Sequence, residues 1–301
     1  MRCYNLTKEK KILLELNTNC NANCIYCYHA SNKIKYNTKI VDFLLPENFL
    51  KENNYTSLVI TGGEPLLDLV KLKKILQYYK NKIHTIEILT NGLLLDKTQV
   101  KQLIKNGTNG FSISCDGIND STQFFLRNIK AKQIWKIIKE TKQVAADNAA
   151  VNLIYTLTSI NSSKKNIRDF INKTQEVGRL NIKFQPVTMD LLPDKKYLEL
   201  ESTKQKELIG WIKTQKEKWP ILNSKEFFEI SNILGNSKKH SKKIQCGVPV
   251  QNLFINARGF LQKCPILTQD QKVNCKGTLQ NWKFGSINCE VKNHCLCLFE
   301  E

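Results

Sequence analysis

Arginine is nearly missing from a strongly basic chain. Of 46 lysine and arginine residues in 301, only Arg2, Arg127, Arg168, Arg179 and Arg258 are arginines, against 27 acidic residues and a formal charge of +19. Basic surfaces attract phosphate backbones, but bidentate phosphate contacts favour the planar arginine fork. The lysines are also scattered among many asparagines, which reads as compositional bias and ranks nucleic acid low as a substrate. No apolar run approaches the roughly 20 residues of a membrane-spanning helix, and MRCYNLTKEKK lacks the apolar segment of a signal peptide. The expected location is therefore the cytoplasm, and no membrane partner is expected. There the eleven cysteines would be reduced or metal-bound rather than paired in disulfides. No solenoid-type repeat is present. What the chain does have, 41% hydrophobic residues, is enough for one sizeable domain plus a small one.

The cysteines fall into two groups. Cys20, Cys24 and Cys27 form a C-x3-C-x2-C triplet, Cys3 and Cys115 stand apart, and six more lie at Cys246, Cys264, Cys275, Cys289, Cys295 and Cys297. Three thiolates so closely spaced suit a 4Fe-4S cluster with three protein ligands, leaving one iron open to a substrate or cofactor.

From residue 10 to about 190, short apolar runs alternate with longer amphipathic segments, the pattern of repeated βα units around a parallel sheet or barrel. Strands are expected at Ile12 to Leu16, Ser57 to Thr61, Thr85 to Thr90, Gly110 to Ser114, Val151 to Leu157 and Asn181 to Gln185. Helices are expected at Leu67 to Lys80, Lys97 to Asn106, Ala131 to Asp147, Lys164 to Val177, Glu199 to Lys218 and Lys225 to Leu234. The lysine-rich stretch from Asn236 to Lys243 reads as a solvated linker before the cysteine-rich tail. Residues two apart in a strand share a face, so Ser112, Ser114 and Asp116 should point one way and Phe111, Ile113 and Cys115 the other, against helices. Glu15, Thr61, Lys183 and Gln185 fall on faces that can line a polar interior. The histidines His29, His84, His240 and His294 show no ligand spacing.

Motifs follow the strands in order. After the first comes the cysteine triplet with Tyr26 at its aromatic position; after the second, Thr61-Gly62-Gly63-Glu64-Pro65; after the third, Thr90-Asn91-Gly92; after the fourth, Ser114-Cys115-Asp116-Gly117. The C-terminal ends of strands are where βα barrels place their active sites. In this combination the chain resembles the radical S-adenosylmethionine (radical SAM) enzymes, through their cysteine signature and their GGEP and SxDG motifs. The resemblance implies a partial (β/α)6 TIM-type barrel over residues 1–218, a helical and basic linker over 219–245, and a small cysteine-rich hairpin domain over 246–301. It implies metal ligation by Cys20, Cys24 and Cys27. It also implies SAM binding by Tyr26, Gly62, Gly63, Glu64, Asn91, Ser114, Asp116, Arg127 and Gln185, with Glu64 accepting from the methionine ammonium and Arg127 pairing with its carboxylate. By that resemblance, reductive cleavage of SAM gives a 5′-deoxyadenosyl radical that abstracts a hydrogen atom from the substrate. The basic surface suits an acidic electron donor such as a flavodoxin or ferredoxin.

Cys246 and Cys264 frame NLFINARGFLQKC, a hairpin with Gly259 in its turn. This is similar to the opening of the SPASM and twitch extensions, which carry auxiliary clusters. The remainder departs from the full SPASM pattern, so one auxiliary 4Fe-4S cluster is expected, held by Cys246, Cys264 and two of Cys289, Cys295 and Cys297; a structural zinc is the alternative. Cys275 is a spare thiol, a ligand or a hydrogen-atom donor, and the first reading is favoured. The extension points to modification of a ribosomally made peptide, by cross-linking or epimerisation. A small-molecule substrate such as a sugar is the alternative.

Overall fold

The computed structural model describes residues 10–27, 36–178, 180–187, 193–223, 228 and 252–262, with short strand backbones at 244–246, 273–274 and 287–289. The helix expected at 225–234, apart from Phe228, and the lysine-rich linker lie outside the described residues, as do Cys264, Cys275, Cys295 and Cys297.

Six parallel strands build the frame: β1 (Lys10–Glu15), β2 (Tyr55–Thr61), β3 (Thr85–Thr90), β4 (Gly110–Ser114), β5 (Ala150–Leu157) and β6 (Asn181–Pro186). They lie side by side in chain order, with every neighbouring pair parallel, and the sheet does not close. Parallel neighbours need crossover connections. These are supplied by α1 (Glu47–Glu52), α2 (Leu69–Tyr79), α3 (Lys97–Lys105), α4 (Asp120–Arg127), α5 (Ala131–Ala145) and α6 (Lys164–Val177), and α7 (Ser202–Gln215) follows β6. The alternating pattern implied these parallel βα units, and their arrangement is the partial barrel that the resemblance implied.

Strand alternation divides the sheet into two unlike faces. Ile12, Leu14, Leu58, Ile60, Ile88, Phe111, Ile113, Leu153, Ile182 and Phe184 are fully buried in one core with helical Leu72, Ile75, Leu76, Val100, Ile134, Ile138 and Phe170. The other face is mixed and partly open, and bears Glu87, Ser112, Asn152 and Asn181 beside Leu13, Val59, Leu89 and Ile154. Side chains link these four across three strand boundaries: Glu87 Oε1 accepts from Ser112 Oγ and, at 3.3 Å, from Asn152 Nδ2, while Asn181 Nδ2 donates to Asn152 Oδ1 at 3.0 Å. Parallel sheets are ordinarily apolar on both faces, so this face reads as a chamber wall. Helix starts are fixed by side-chain caps: Asp68 accepts from Lys71 N, Asp96 from Gln99 N, Asn119 from Thr122 N and Ser163 from Asn166 N.

The hairpin after residue 250 is present as β8 (Asn252–Ile255) and β9 (Phe260–Gln262), turning at Gly259 with φ +78°. Its position was not legible in the sequence. β8 runs parallel to β1, with Leu13 opposite Phe254, so the hairpin extends the main sheet on its free side and continues antiparallel into β10 (Val273–Asn274). Glu15 Oε2 accepts from Ala257 N at 3.0 Å and ties the turn to the end of β1. A separate two-stranded ladder pairs β7 (Ile244–Cys246) with β11 (Ile287–Cys289), with Cys246 opposite Ile287 and Cys289 opposite Ile244.

Candidate active site

The strand-end motifs converge through backbone contacts that only glycine permits. Gly63 N donates to Asn17 O at 2.8 Å and Glu64 N to Asn19 O at 2.7 Å, which stitches the Gly62-Gly63-Glu64 turn to the segment just before the cysteine triplet. A Cβ on Gly63 would lie 2.2 Å from Asn19 O and 2.6 Å from Thr18 O. Glycine is therefore dictated here by close backbone approach.

Glu64 is completely buried and turned inward. Its Oε1 accepts from Thr90 Oγ1 at 2.8 Å and Leu66 N at 3.1 Å, and its Oε2 from Asn91 N at 2.7 Å. Burial raises its pKa, against the opposing pull of the bonds from Asn91, Thr90 and Leu66. The resemblance implies this carboxylate as an acceptor for an ammonium; in the structure its oxygens lock the ends of β2 and β3 together. Asn91 then reaches the cysteine loop, where its Nδ2 donates to Asn21 Oδ1 at 2.8 Å and approaches Cys20 Sγ at 3.4 Å.

A second assembly holds the other side of the loop. Asp116 is fully buried at the end of β4, where its carboxylate accepts from Arg127 Nε at 2.7 Å, Thr156 N at 2.8 Å and the Tyr26 hydroxyl. Arg127 Nη2 adds longer bonds of 3.3 Å to Asp116 Oδ1 and Thr156 Oγ1, and Nη1 lies 3.8 Å from Cys24 Sγ. Burial pushes the Cys24 thiol up to about 11; Arg127 opposes this, while Asp116, Cys27 and Cys20 add to it. Tyr26 and Arg127 thus meet across Asp116, whose carboxylate accepts from both. Gln123 and Asn161, which the sequence reading did not single out, complete the frame. Gln123 Oε1 accepts from Asp116 N at 2.7 Å, and Asn161 Nδ2 donates to Asp116 O at 3.1 Å and Thr156 O at 2.8 Å. A buried amide, whether in a helix as Gln123 or in a turn as Asn161, has no sequence signature that separates it from an exposed one.

Ser114 and Gln185 lie on the mixed face near the strand ends, with Gln185 opposite Thr156 in the β5–β6 ladder. Cys115 sits on the apolar face, fully buried as expected, with its thiol pushed up to about 12 by burial.

The cysteine loop fits an iron-sulfur cluster. Cys20, Cys24 and Cys27 are partly buried and outside any disulfide, and three N–H groups are aimed at sulfurs of the loop: Ala22 N and Asn91 Nδ2 at Cys20, each at 3.4 Å, and Arg127 Nη1 at Cys24. Hydrogen bonds to ligand sulfurs are a chief means of tuning such clusters. Among the described residues no three His, Cys, Asp or Glu side chains converge as ligands of a single ion would; ligands to different irons of one cluster need not.

The Radical SAM superfamily model matches residues 14–171, more than half of the chain. The chain belongs to the radical SAM superfamily. It is 28% identical over 293 residues to an uncharacterised protein of Methanocaldococcus jannaschii, covering 90% of this chain and 89% of that one. It is 27% identical over 185 residues to a probable GTP 3′,8-cyclase of Methanococcus vannielii, covering 59% of this chain and 60% of the relative. Among solved structures, Streptococcus suis SuiB bound to its precursor peptide SuiA superimposes with a TM-score of 0.68 at 17% identity, over 91% of this chain and 64% of SuiB. At that identity the likeness is one of fold. No helix among the described residues is long and apolar enough to cross a membrane.

Proposed function

We propose that this radical SAM enzyme modifies a ribosomally made peptide, forming a cross-link or inverting a stereocentre. The observation that carries the radical chemistry in this reading is the cysteine loop clamped between the Glu64–Asn91 and Asp116–Arg127 assemblies, with N–H donors on its sulfurs. The cluster would be held by Cys20, Cys24 and Cys27, and it supplies reductive cleavage of SAM and hence hydrogen-atom abstraction. SAM would lie against Tyr26, Gly62, Gly63, Glu64, Asn91, Ser114, Asp116, Arg127 and Gln185, and the bonds of Glu64 and Asp116 to their neighbours would hold those groups in place. The peptide reading is supported by the fold shared with SuiB, whose structure holds a precursor peptide. A small-molecule substrate is the second reading, favoured by the polar side chains of the mixed sheet face and by the likeness to a nucleotide cyclase.

An auxiliary 4Fe-4S cluster on Cys246, Cys264 and two of Cys289, Cys295 and Cys297 is part of the proposal. The β7–β11 register supports it by setting Cys246 and Cys289 at diagonal positions of one ladder. Anaerobic reconstitution should then give about eight irons per chain, four for each cluster; about four irons with bound zinc would remove the second site. Reduced protein should convert SAM to 5′-deoxyadenosine, and Cys20→Ala should abolish this. Conversion that survives in Cys20→Ala would refute the assignment of the site. Incubation with candidate precursor peptides or with nucleotides and sugars, followed by mass spectrometry, separates the two substrate classes.

A further inference from the structure

α4 is patterned inside out. Ser121, Phe124, Phe125 and Asn128, at helical spacings of three and four, face solvent, with Phe124 45% and Phe125 49% exposed, while Gln123 and Arg127 are buried. The cause is Asp116: its backbone N–H donates to Gln123 and its carboxylate pairs with Arg127, which orients the helix and turns the phenylalanines outward. Further large apolar side chains are exposed beyond the helix. Leu126 packs against Leu198, whose carbonyl accepts from Ser159 N at 2.8 Å, and the neighbours of these residues, Tyr197 and Ile160, are exposed. Lys130, Lys132, Lys195 and Lys196 lie within a few residues of these side chains along the chain, against Asp120 and Asp194. Exposed phenylalanines paired on one helix face mark an interaction surface.

We propose that the outer face of α4 is the docking site for an acidic one-electron carrier protein. The inference rests on the reading of Cys20, Cys24 and Cys27 as cluster ligands. Two observations select this occupant. First, α4 is wired to the cysteine loop: Leu126 O accepts from Ile25 N at 3.0 Å, one residue from Cys24, and Arg127 Nη1 approaches Cys24 Sγ. Second, the exposed face points away from Asp116 and the strand ends, with the helix in between. A substrate has to pass into the site, whereas an electron can cross the helix through bonded atoms. The lysines complement an acidic carrier and would steer its approach. One electron leaves the reduced carrier and enters the cluster; no bond forms or breaks, and no proton moves at this surface.

The test compares reconstituted wild-type protein with Phe124→Ser/Phe125→Ser and with Lys130→Glu/Lys132→Glu. Binding of oxidised flavodoxin and of a bacterial-type ferredoxin is measured by calorimetry, and cluster reduction is followed by its absorbance, with either the reduced carrier or dithionite as electron source. Loss of an interface aromatic pair or of steering charge should weaken binding and slow carrier-driven reduction by about tenfold or more. Dithionite reduction, iron content and thermal unfolding should stay unchanged. Wild-type protein that binds neither carrier, variants reduced by the carrier at the wild-type rate, or equal slowing with dithionite would each overturn the proposal. A chain that assembles no cluster defeats the reading of the site instead, and the calorimetric arm still decides whether a carrier docks on α4.

Discussion

Gly63→Ala isolates the closest approach in the site. The new methyl would sit 2.2 Å from Asn19 O, 2.5 Å from Asn19 C and 2.6 Å from Thr18 O, all of them backbone atoms that no rotamer change can move. Restoring ordinary contact at 3.4 Å requires the two segments to part by about 1.2 Å. The bonds Gly63 N to Asn17 O and Glu64 N to Asn19 O, at 2.8 and 2.7 Å, would not survive that movement. Each is worth about 1 kcal/mol, and forced overpacking adds about 1–3 kcal/mol, so a loss of about 3–5 kcal/mol is expected, at the high end for one substitution. Because the displaced segment leads directly into Cys20, iron uptake should fall as well. Urea unfolding of the iron-free protein and iron content after reconstitution are the assays. Gly210→Ala is the control: nothing lies within 4 Å of its Cβ position on α7, so helix propensity predicts a gain of about 0.5–1 kcal/mol. Gly63→Ala within about 1 kcal/mol of wild type, with full iron content, would show that the close approach does not hold the loop.

Other consequences follow from the same contacts. Arg127→Met leaves the fully buried Asp116 without its cation and should cost about 3–5 kcal/mol in denaturant unfolding; adding Asp116→Asn should recover part of that, and strict additivity would argue against coupling. Tyr26→Phe removes one acceptor bond of Asp116, with an expected loss of about 1–2 kcal/mol by the same assay, and no change would mean that the phenol does not brace the loop. In the iron-free chain, alkylation of Cys24 should be slow at neutral pH and rise about tenfold per pH unit until the thiol ionises near its raised value of about 11. Peptide mass spectrometry reads that rate, and a flat profile would contradict the buried environment of the thiol.

How legible this protein is from its sequence depends on the element. The six strands were readable because β-branched runs alternate with helices carrying apolar residues at i, i+3 and i+4, as Leu72, Ile75, Leu76 and Tyr79 do in α2. The helix α4 was not read. Its pattern places phenylalanines on the wet side and glutamine and arginine on the dry side, and a periodicity argument assumes the reverse. The roles of Glu64 and Arg127 were likewise only half legible, since their motifs locate them without saying which way a carboxylate or a guanidinium turns.

The sequence by itself settled which chemistry to expect, because three cysteines at fixed spacing and three further strand-end motifs in order are local patterns that survive without coordinates. The tertiary structure decided the partnerships. Asp116 meets Arg127 and Tyr26, Glu64 meets Thr90 and Asn91, and β8 lies beside β1. These pairings join residues from 11 to more than 200 positions apart, and their geometry follows from how the strands stack rather than from any stretch of chain read alone.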